Sequence, residues 1–125
     1  MMEWKRTAYF MQLISREDIV KNIRDKEGDS ALHFAARLGD EQSLKALLSH
    51  KNIDVNLRNN QANTALHLAV RAGSIACVKQ LLMQKDINVH IRNVACYTPL
   101  GLAKLSNKQE RNEIIKLLEK YHATE

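Results

Sequence analysis

The feature that most constrains this chain is a repeat of 34 residues within its own sequence. A shift by that length places residues 30–33 (SALH) on residues 64–67 (TALH) and then on residues 98–101 (TPLG). The same shift places Gly39 on Gly73. Such a period is typical of a solenoid, in which each unit is one small motif that buries its apolar face against the next unit.

Each unit carries the signals of two short helices. Ser30, Thr64 and Thr98 are suitable N-cap residues, because their side-chain oxygens accept hydrogen bonds from the first turn of a helix. We predict a first helix over about residues 31–38 and a second over about residues 41–49. Isolated helices shorter than about 12–15 residues are marginal in water, so these helices must pack on neighbouring units. The predicted fold class is all-α, with stacked helix-turn-helix units joined by short hairpin-like loops.

Composition narrows the class of protein further. With 125 residues and 45% hydrophobic content, the chain is long enough for one domain with a buried core. Its longest uninterrupted apolar runs have four residues, whereas a membrane helix needs about 20, so we expect no association with a membrane. Cys77 and Cys96 form no CxxC pair and are too few for a disulfide scaffold or a zinc site. We expect a reducing compartment, namely the cytoplasm, with the nucleus or a host cytosol as alternatives.

Two stretches of the chain resemble a known repeat. Residues 28–39 (GDSALHFAARLG) resemble the ankyrin-repeat signature G-x-T-P-L-H-x-A-A-x-x-G, and residues 53–56 (IDVN) resemble the A-D-V-N with which that repeat ends. The tetratricopeptide repeat has the same period, but it needs longer helices and a Trp/Leu-Gly/Tyr pattern that this chain lacks.

The resemblance implies a single ankyrin-repeat domain over residues 1–125. Its N-terminal part is expected to be a half repeat with a capping helix over about residues 5–16. The expected units are the half repeat at 1–24, two repeats at 25–58 and 59–92, and a divergent C-terminal capping repeat at 93–125.

No constellation of catalytic or metal-ligating residues stands out in the sequence. The chain contains no Gly-rich phosphate loop and neither an HExxH nor a GxSxG motif. His33 and His67 share one register, and the resemblance implies that each braces its own hairpin and the next one by hydrogen bonds. We interpret Cys77 and Cys96 as packing residues. We therefore expect no catalytic residue, no metal site, no cofactor, no small-molecule substrate and no enzymatic activity.

Positive charge is concentrated in one part of the chain. Residues 55–109 contain seven basic residues and one acidic residue, whereas the rest contains 12 basic and 13 acidic residues. A basic surface favours a partner with an acidic segment, although scattered lysines are also explained by solubility. Nucleic acid is the alternative partner. It is the less favoured one, because the chain has only six aromatic residues and no basic helix patterned for a groove.

The resemblance implies a protein-protein interaction module, since partners of ankyrin repeats usually contact the hairpin tips and the exposed inner face of the first helices. We expect a monomeric adaptor that acts as a cytosolic regulator or as a viral or bacterial host-interaction factor. Carried over by motif, the predicted partner-binding residues are Lys26, Glu27, Asp29, Arg37, Leu38, Asn60, Gln61, Asn63, Arg71, Ala72, Val94, Ala95 and Tyr97.

Arginines recur in two registers of the repeat. Arg37 and Arg71 fall at the end of the first helix, and Arg24, Arg58 and Arg92 fall at the entrance to each hairpin. One interpretation is a groove that presents guanidinium groups at regular intervals to an acidic segment, with bidentate pairing to carboxylates. The alternative is that these arginines only brace the structure, with Arg24 paired to a neighbouring acid. Both interpretations stay open for both registers.

Overall fold

The structure of the protein, a computed structural model, describes residues 23–50 and 53–121. No helix in these ranges has the length and apolar content that crossing a membrane requires. The helix expected over residues 5–16 lies outside the described residues. Within the described ranges the chain forms six helices and no strand, which confirms the predicted all-α fold: α1 (Ala31–Leu38), α2 (Glu41–Leu48), α3 (Ala65–Ala72), α4 (Ile75–Leu82), α5 (Pro99–Leu105) and α6 (Arg111–Lys120).

The first helix of each pair begins and ends at capping residues that the sequence displays. The Ser30 hydroxyl accepts a hydrogen bond from the backbone N–H of His33, and Thr64 caps α3 in the same way. At the other end of α1, Gly39 adopts the left-handed conformation with φ 68° and closes the last turn. The bounds predicted for α1 are therefore confirmed.

Helix α2 ends one residue earlier than predicted. Leu48 is its last residue, and Ser49 is the C-cap. The Ser49 hydroxyl donates to the carbonyl of Ala46 at 2.6 Å, which satisfies one of the carbonyls that the last turn leaves without an intrahelical partner.

The three helix pairs stack into two layers. The first helices contact one another in the order α1, α3, α5, and the second helices contact one another in the order α2, α4, α6. Ala35, Ala36 and Ala69 are fully buried in the first layer, where small side chains let neighbouring helices approach closely. The core between the layers consists of large apolar side chains with at most 2% exposure, among them Leu44, Leu47, Leu66, Leu81, Ile114 and Leu118.

A tight turn precedes each first helix, and we name these turns the first hairpin (25–29), the second hairpin (59–63) and the third hairpin (93–97). In each, the N–H of the first residue donates to the carbonyl of the fifth, and the N–H of the fourth donates to the carbonyl of the first, at 2.9–3.0 Å. The fourth residue is left-handed in all three, with φ 78° at Gly28, 61° at Ala62 and 70° at Cys96. Because only glycine adopts this conformation without steric cost, the second and third hairpins carry backbone strain.

Candidate partner-binding site

Side-chain hydrogen bonds join the three hairpins to one another. The first residue of each hairpin (Asp25, Asn59 or Asn93) accepts bonds from the backbone N–H groups two and four residues on, at 2.9–3.0 Å. The amide of Asn59 also donates to Asp29 Oδ1 at 2.8 Å, and the amide of Asn93 donates to Asn63 Oδ1 at 2.9 Å. Backbone bonds of 3.0 Å between consecutive hairpins add to these contacts. The hairpins are therefore held in fixed positions relative to one another.

Two buried histidines join each first helix to the following hairpin. Nε2 of His33 donates to the carbonyl of Asn63 and Nε2 of His67 donates to the carbonyl of Tyr97, both at 2.9 Å. Nδ1 of His33 accepts from the backbone N–H of Ser30 at 3.1 Å, so the ring is neutral with its proton on Nε2. Burial lowers the pKa of both imidazoles, and the bonds to carbonyls offset only part of that effect. The predicted bracing role of this pair is confirmed.

Arg37 is held by two side chains of its own repeat. Its guanidinium donates to Oδ2 of Asp29 at 2.5 Å. The guanidinium carbon also lies 5.9 Å from the centre of the Phe34 ring, within the range of a cation–π contact. The side chain of Asp29 is fully buried, and its other oxygen accepts a hydrogen bond from Asn59. Although the Arg37 side chain is 45% exposed, its charge is already paired with a buried carboxylate.

Arg71, one repeat later, has neither of these partners. Asn63 and Leu68 stand at the positions that correspond to Asp29 and Phe34. An amide carries no negative charge, and an aliphatic side chain has no aromatic face. Across residues 23–50 and 53–121, no carboxylate forms an ion pair with Arg71, whose side chain is exposed. The equivalent arginines of the two repeats therefore differ, because Arg37 forms an ion pair and Arg71 forms none with the described residues.

An open groove of about 290 Å³ lies beside Arg71, between the second and third hairpins. Val94 and Tyr97 bring exposed apolar surface to it, since they are 69% and 38% exposed. A cation next to apolar surface suits a carboxylate whose neighbouring side chain is apolar. The lining residues are Gln61, Asn63, Arg71, Asn93, Val94, Ala95, Tyr97 and Leu102.

The stacked helix pairs and braced hairpins agree with a match to a family model. The model describes ankyrin repeats in three copies, and it matches residues 5–93. The chain belongs to the ankyrin-repeat family. A search among curated proteins found no match. Ankyrin repeats are generally protein-protein interaction modules, which makes the hairpins and the inner face of the first helices the surfaces of interest.

Most of the predicted partner-binding residues of this ankyrin-repeat chain lie at its surface. Those of the second and third hairpins, except Asn60, meet at the groove, together with Arg71 from α3. Leu38 and Ala72 are half-buried. That these residues contact a partner stays a prediction. The exposed members are Lys26, Glu27, Arg37, Asn60, Gln61, Arg71, Val94, Ala95 and Tyr97.

Asp29 and Asn63 differ from the other predicted residues because each is only 3% exposed. Both carboxylate oxygens of Asp29 are bonded within the protein, one to Arg37 and one to Asn59. Its expected place on an exposed contact surface is therefore corrected: Asp29 acts inside the stack. Asn63 lines the groove, yet its side-chain oxygen is already bonded to Asn93.

The arginines at the hairpin entrances make contacts to backbone carbonyls. Nη1 of Arg24 donates to the carbonyl of Arg58 at 3.2 Å, and Nη1 of Arg92 donates to the carbonyl of Cys96 at 3.1 Å. These contacts agree with the bracing interpretation for Arg24 and Arg92, and a role of either arginine in partner binding stays a prediction. The acceptor of the Arg24 bond lies one repeat further on, whereas the sequence suggested an acid beside it.

Among the described residues, neither a cysteine nor a metal site contributes to the groove. Within residues 23–50 and 53–121, no three His, Cys, Asp or Glu side chains are grouped so that they could hold a metal ion. Cys77 is buried in α4, and burial raises the pKa of its thiol, which disfavours the reactive thiolate. Cys96 is exposed at the strained position of the third hairpin. The groove offers charge and apolar contact.

Sequence reasoning missed the difference between Arg37 and Arg71. The signal stands eight residues before each arginine, where Asp29 precedes Arg37 and Asn63 precedes Arg71. Side chains that meet on one helix are three or four residues apart, so this pairing appears only when the hairpin is folded against its helix. Two further lining residues had not been predicted, namely Asn93 and Leu102.

Proposed function

We propose that this ankyrin-repeat chain is a binding module for an acidic segment of another protein, held against the second and third hairpins and the inner face of α3 and α5. The observation that carries the proposal is the Arg71 guanidinium, which has no ion pair with any described residue, beside a groove of about 290 Å³. A guanidinium with free donors binds a carboxylate through two parallel hydrogen bonds, which fix orientation as well as adding charge.

The fixed positions of the hairpins support a binding role. Ordering a mobile loop on association costs free energy that a preformed surface avoids. Here the second and third hairpins are joined by the bond of Asn93 to Asn63, and His67 ties α3 to the third hairpin. We expect the partner to bind without rearrangement of the hairpins.

Charge supports the same class of partner in a different way. Residues 55–109 carry seven basic residues against one acidic residue. Such an excess accelerates encounter with an acidic partner and is weakened by salt, because exposed charges are screened over about 8–10 Å. Every exposed lysine contributes to this long-range attraction, whereas only Arg71 would pair with a carboxylate at the groove. The two contributions are separable by experiment.

The test is a selection of short random peptides, displayed on phage, on the immobilised full chain, followed by charge reversal. We expect the enriched peptides to contain Asp or Glu. Arg71→Glu is expected to weaken their binding at least about tenfold, since a charge-assisted pair is lost. Lys79→Glu makes the same charge change at an exposed position of α4, in the other helix layer, and serves as the matched control.

Three outcomes would contradict the proposal. Equal losses for Arg71→Glu and Lys79→Glu would indicate unspecific attraction to a basic surface. Enriched peptides without acidic residues would exclude the proposed partner class. The absence of any enrichment would exclude recognition of a segment altogether. Thermal melting of both variants shows whether a lost interaction reflects the surface or the fold.

A further inference from the structure

The inner-face arginines Arg37 and Arg71 share a register but differ in charge pairing, and this difference traces to one position. That position is the residue directly before the N-cap of each first helix. It is Asp29 in the first repeat, where its carboxylate binds Arg37. It is Asn63 in the second repeat, where its amide leaves Arg71 without a counter-charge among the described residues.

We propose that this position determines which arginine binds a carboxylate of the partner, and that Asn63 leaves Arg71 available as the carboxylate-selecting residue of the chain. The inference rests on the proposed function, because it assumes that an acidic segment binds at the groove. It goes beyond that function by naming a selectivity residue. It also predicts an asymmetry between the two repeats that the regular spacing of the arginines conceals.

Exchange of the two residue types at this position is compatible with the packing around it. Oδ1 of Asp29 accepts a bond from Asn59 at 2.8 Å, and Oδ1 of Asn63 accepts the corresponding bond from Asn93 at 2.9 Å. Asn63→Asp therefore keeps the acceptor that Asn93 needs. It adds a carboxylate eight residues before Arg71, the same separation as that between Asp29 and Arg37, which are paired.

The lining of the groove specifies the chemistry of the segment further. Apolar surface from Val94, Tyr97 and Leu102 lies in the same groove as the Arg71 guanidinium. A carboxylate bound at Arg71 thus brings its neighbouring side chain against that apolar surface. We infer a segment in which Asp or Glu directly precedes or follows a large apolar residue.

The experiment compares two arrays of short peptides, acetylated and amidated at their ends, probed with the fluorescently labelled full chain. One array places Glu beside Leu or Phe, and its matched array has Gln in place of Glu. We expect the wild-type chain to bind the Glu array about tenfold more tightly, a difference of about 1.4 kcal/mol. Asn63→Asp and Arg71→Gln are each expected to abolish this preference, the first by pairing the guanidinium and the second by removing it.

The control variant is Lys79→Gln, which removes an exposed cation of α4 in the other helix layer and is expected to leave the preference for Glu unchanged. If the wild-type chain prefers Glu but both Asn63→Asp and Arg71→Gln retain that preference, the inference is overturned while the proposed function stands. If the wild-type chain binds neither array, both are overturned. Should Asn63→Asp fail to fold, as judged by its circular dichroism, Arg71→Gln decides alone, since Arg71 is exposed and has no ion pair in the described residues.

Discussion

Nε2 of His67 in α3 donates a hydrogen bond of 2.9 Å to the carbonyl of Tyr97 in the third hairpin. This bond joins two consecutive repeats through a side chain with no measurable exposure. It also fixes the backbone of Tyr97, a residue that lines the groove from the neighbouring repeat. The stability of the stack and the shape of the groove therefore depend on the same histidine.

The first prediction follows from this bond. His67→Ala removes one of the two donors to the Tyr97 carbonyl, leaving the bond from the backbone N–H of Asn93, and it leaves the buried backbone N–H of Thr64 without its acceptor. We expect the free energy of unfolding to fall by about 1–3 kcal/mol, measured by urea denaturation. Lys79→Ala, an exposed position on α4, is the control and should change it by less than about 0.5 kcal/mol. A variant His67→Ala with the wild-type urea midpoint would refute the bracing role.

The second prediction concerns pH. Burial lowers the pKa of His33 and His67 below the ordinary value of 6.5. Below about pH 6.5 the unfolded chain therefore binds protons that the folded chain does not. The free energy of unfolding therefore has its full value above that pH and decreases as the pH falls towards the folded-state pKa values. The decrease is no more than about 1.4 kcal/mol per pH unit for each histidine.

The measurement is the free energy of unfolding of wild type and His67→Ala at several pH values between about 7.5 and 5.5. Because the variant lacks one of the two buried histidines whose pKa is lowered, the stability advantage of the wild type should narrow as the pH falls. A constant difference across this range would show that His67 keeps an ordinary pKa in the folded protein.

The third prediction uses the left-handed position of the hairpins. Ala62 has φ 61°, a conformation that costs about 1–2 kcal/mol for a residue with a Cβ. Ala62→Gly removes this cost but increases the freedom of the unfolded chain, so we expect a net gain of about 0.5–1 kcal/mol in urea denaturation. The reverse change, Gly28→Ala, should be strongly destabilising, because its Cβ would lie 2.4 Å from Asn60 Oδ1 and 2.8 Å from the Asn60 backbone nitrogen. A loss of stability in Ala62→Gly would contradict the assignment of strain.

The helices were predictable because their signals are local. Ser30 and Gly39 bound α1 by contacts within a few residues of themselves, so the capping pattern alone placed both ends. The bracing histidines were predictable from the family resemblance, although their acceptors lie 30 residues away. Features that recur in each repeat, such as the caps and the bracing histidines, could therefore be predicted from the sequence.

The candidate site was less predictable because it depends on where the repeats differ. Arg37 and Arg71 look equivalent until the folded hairpin brings Asp29 to the first and Asn63 to the second. Asp29 belongs to a hairpin and was expected at the surface, yet it lies directly before an N-cap and is buried under the next hairpin's Asn59. Burial of this kind depends on the neighbouring repeat and not on the residue's own segment.

The last prediction tests the bonds between hairpins with a matched pair of variants. Asn59→Ala removes the amide that donates to Asp29 and leaves a buried carboxylate oxygen without that partner. Asn93→Ala removes the corresponding bond to the neutral amide of Asn63, at a less buried site. Both variants also lose the two bonds that the side-chain oxygen accepts within its own hairpin. Because hydrogen bonds to charged groups contribute more than neutral ones, we expect Asn59→Ala to lose about 1 kcal/mol more than Asn93→Ala in urea denaturation. Equal losses would mean that the charge of the Asp29 carboxylate adds nothing to its bond with Asn59.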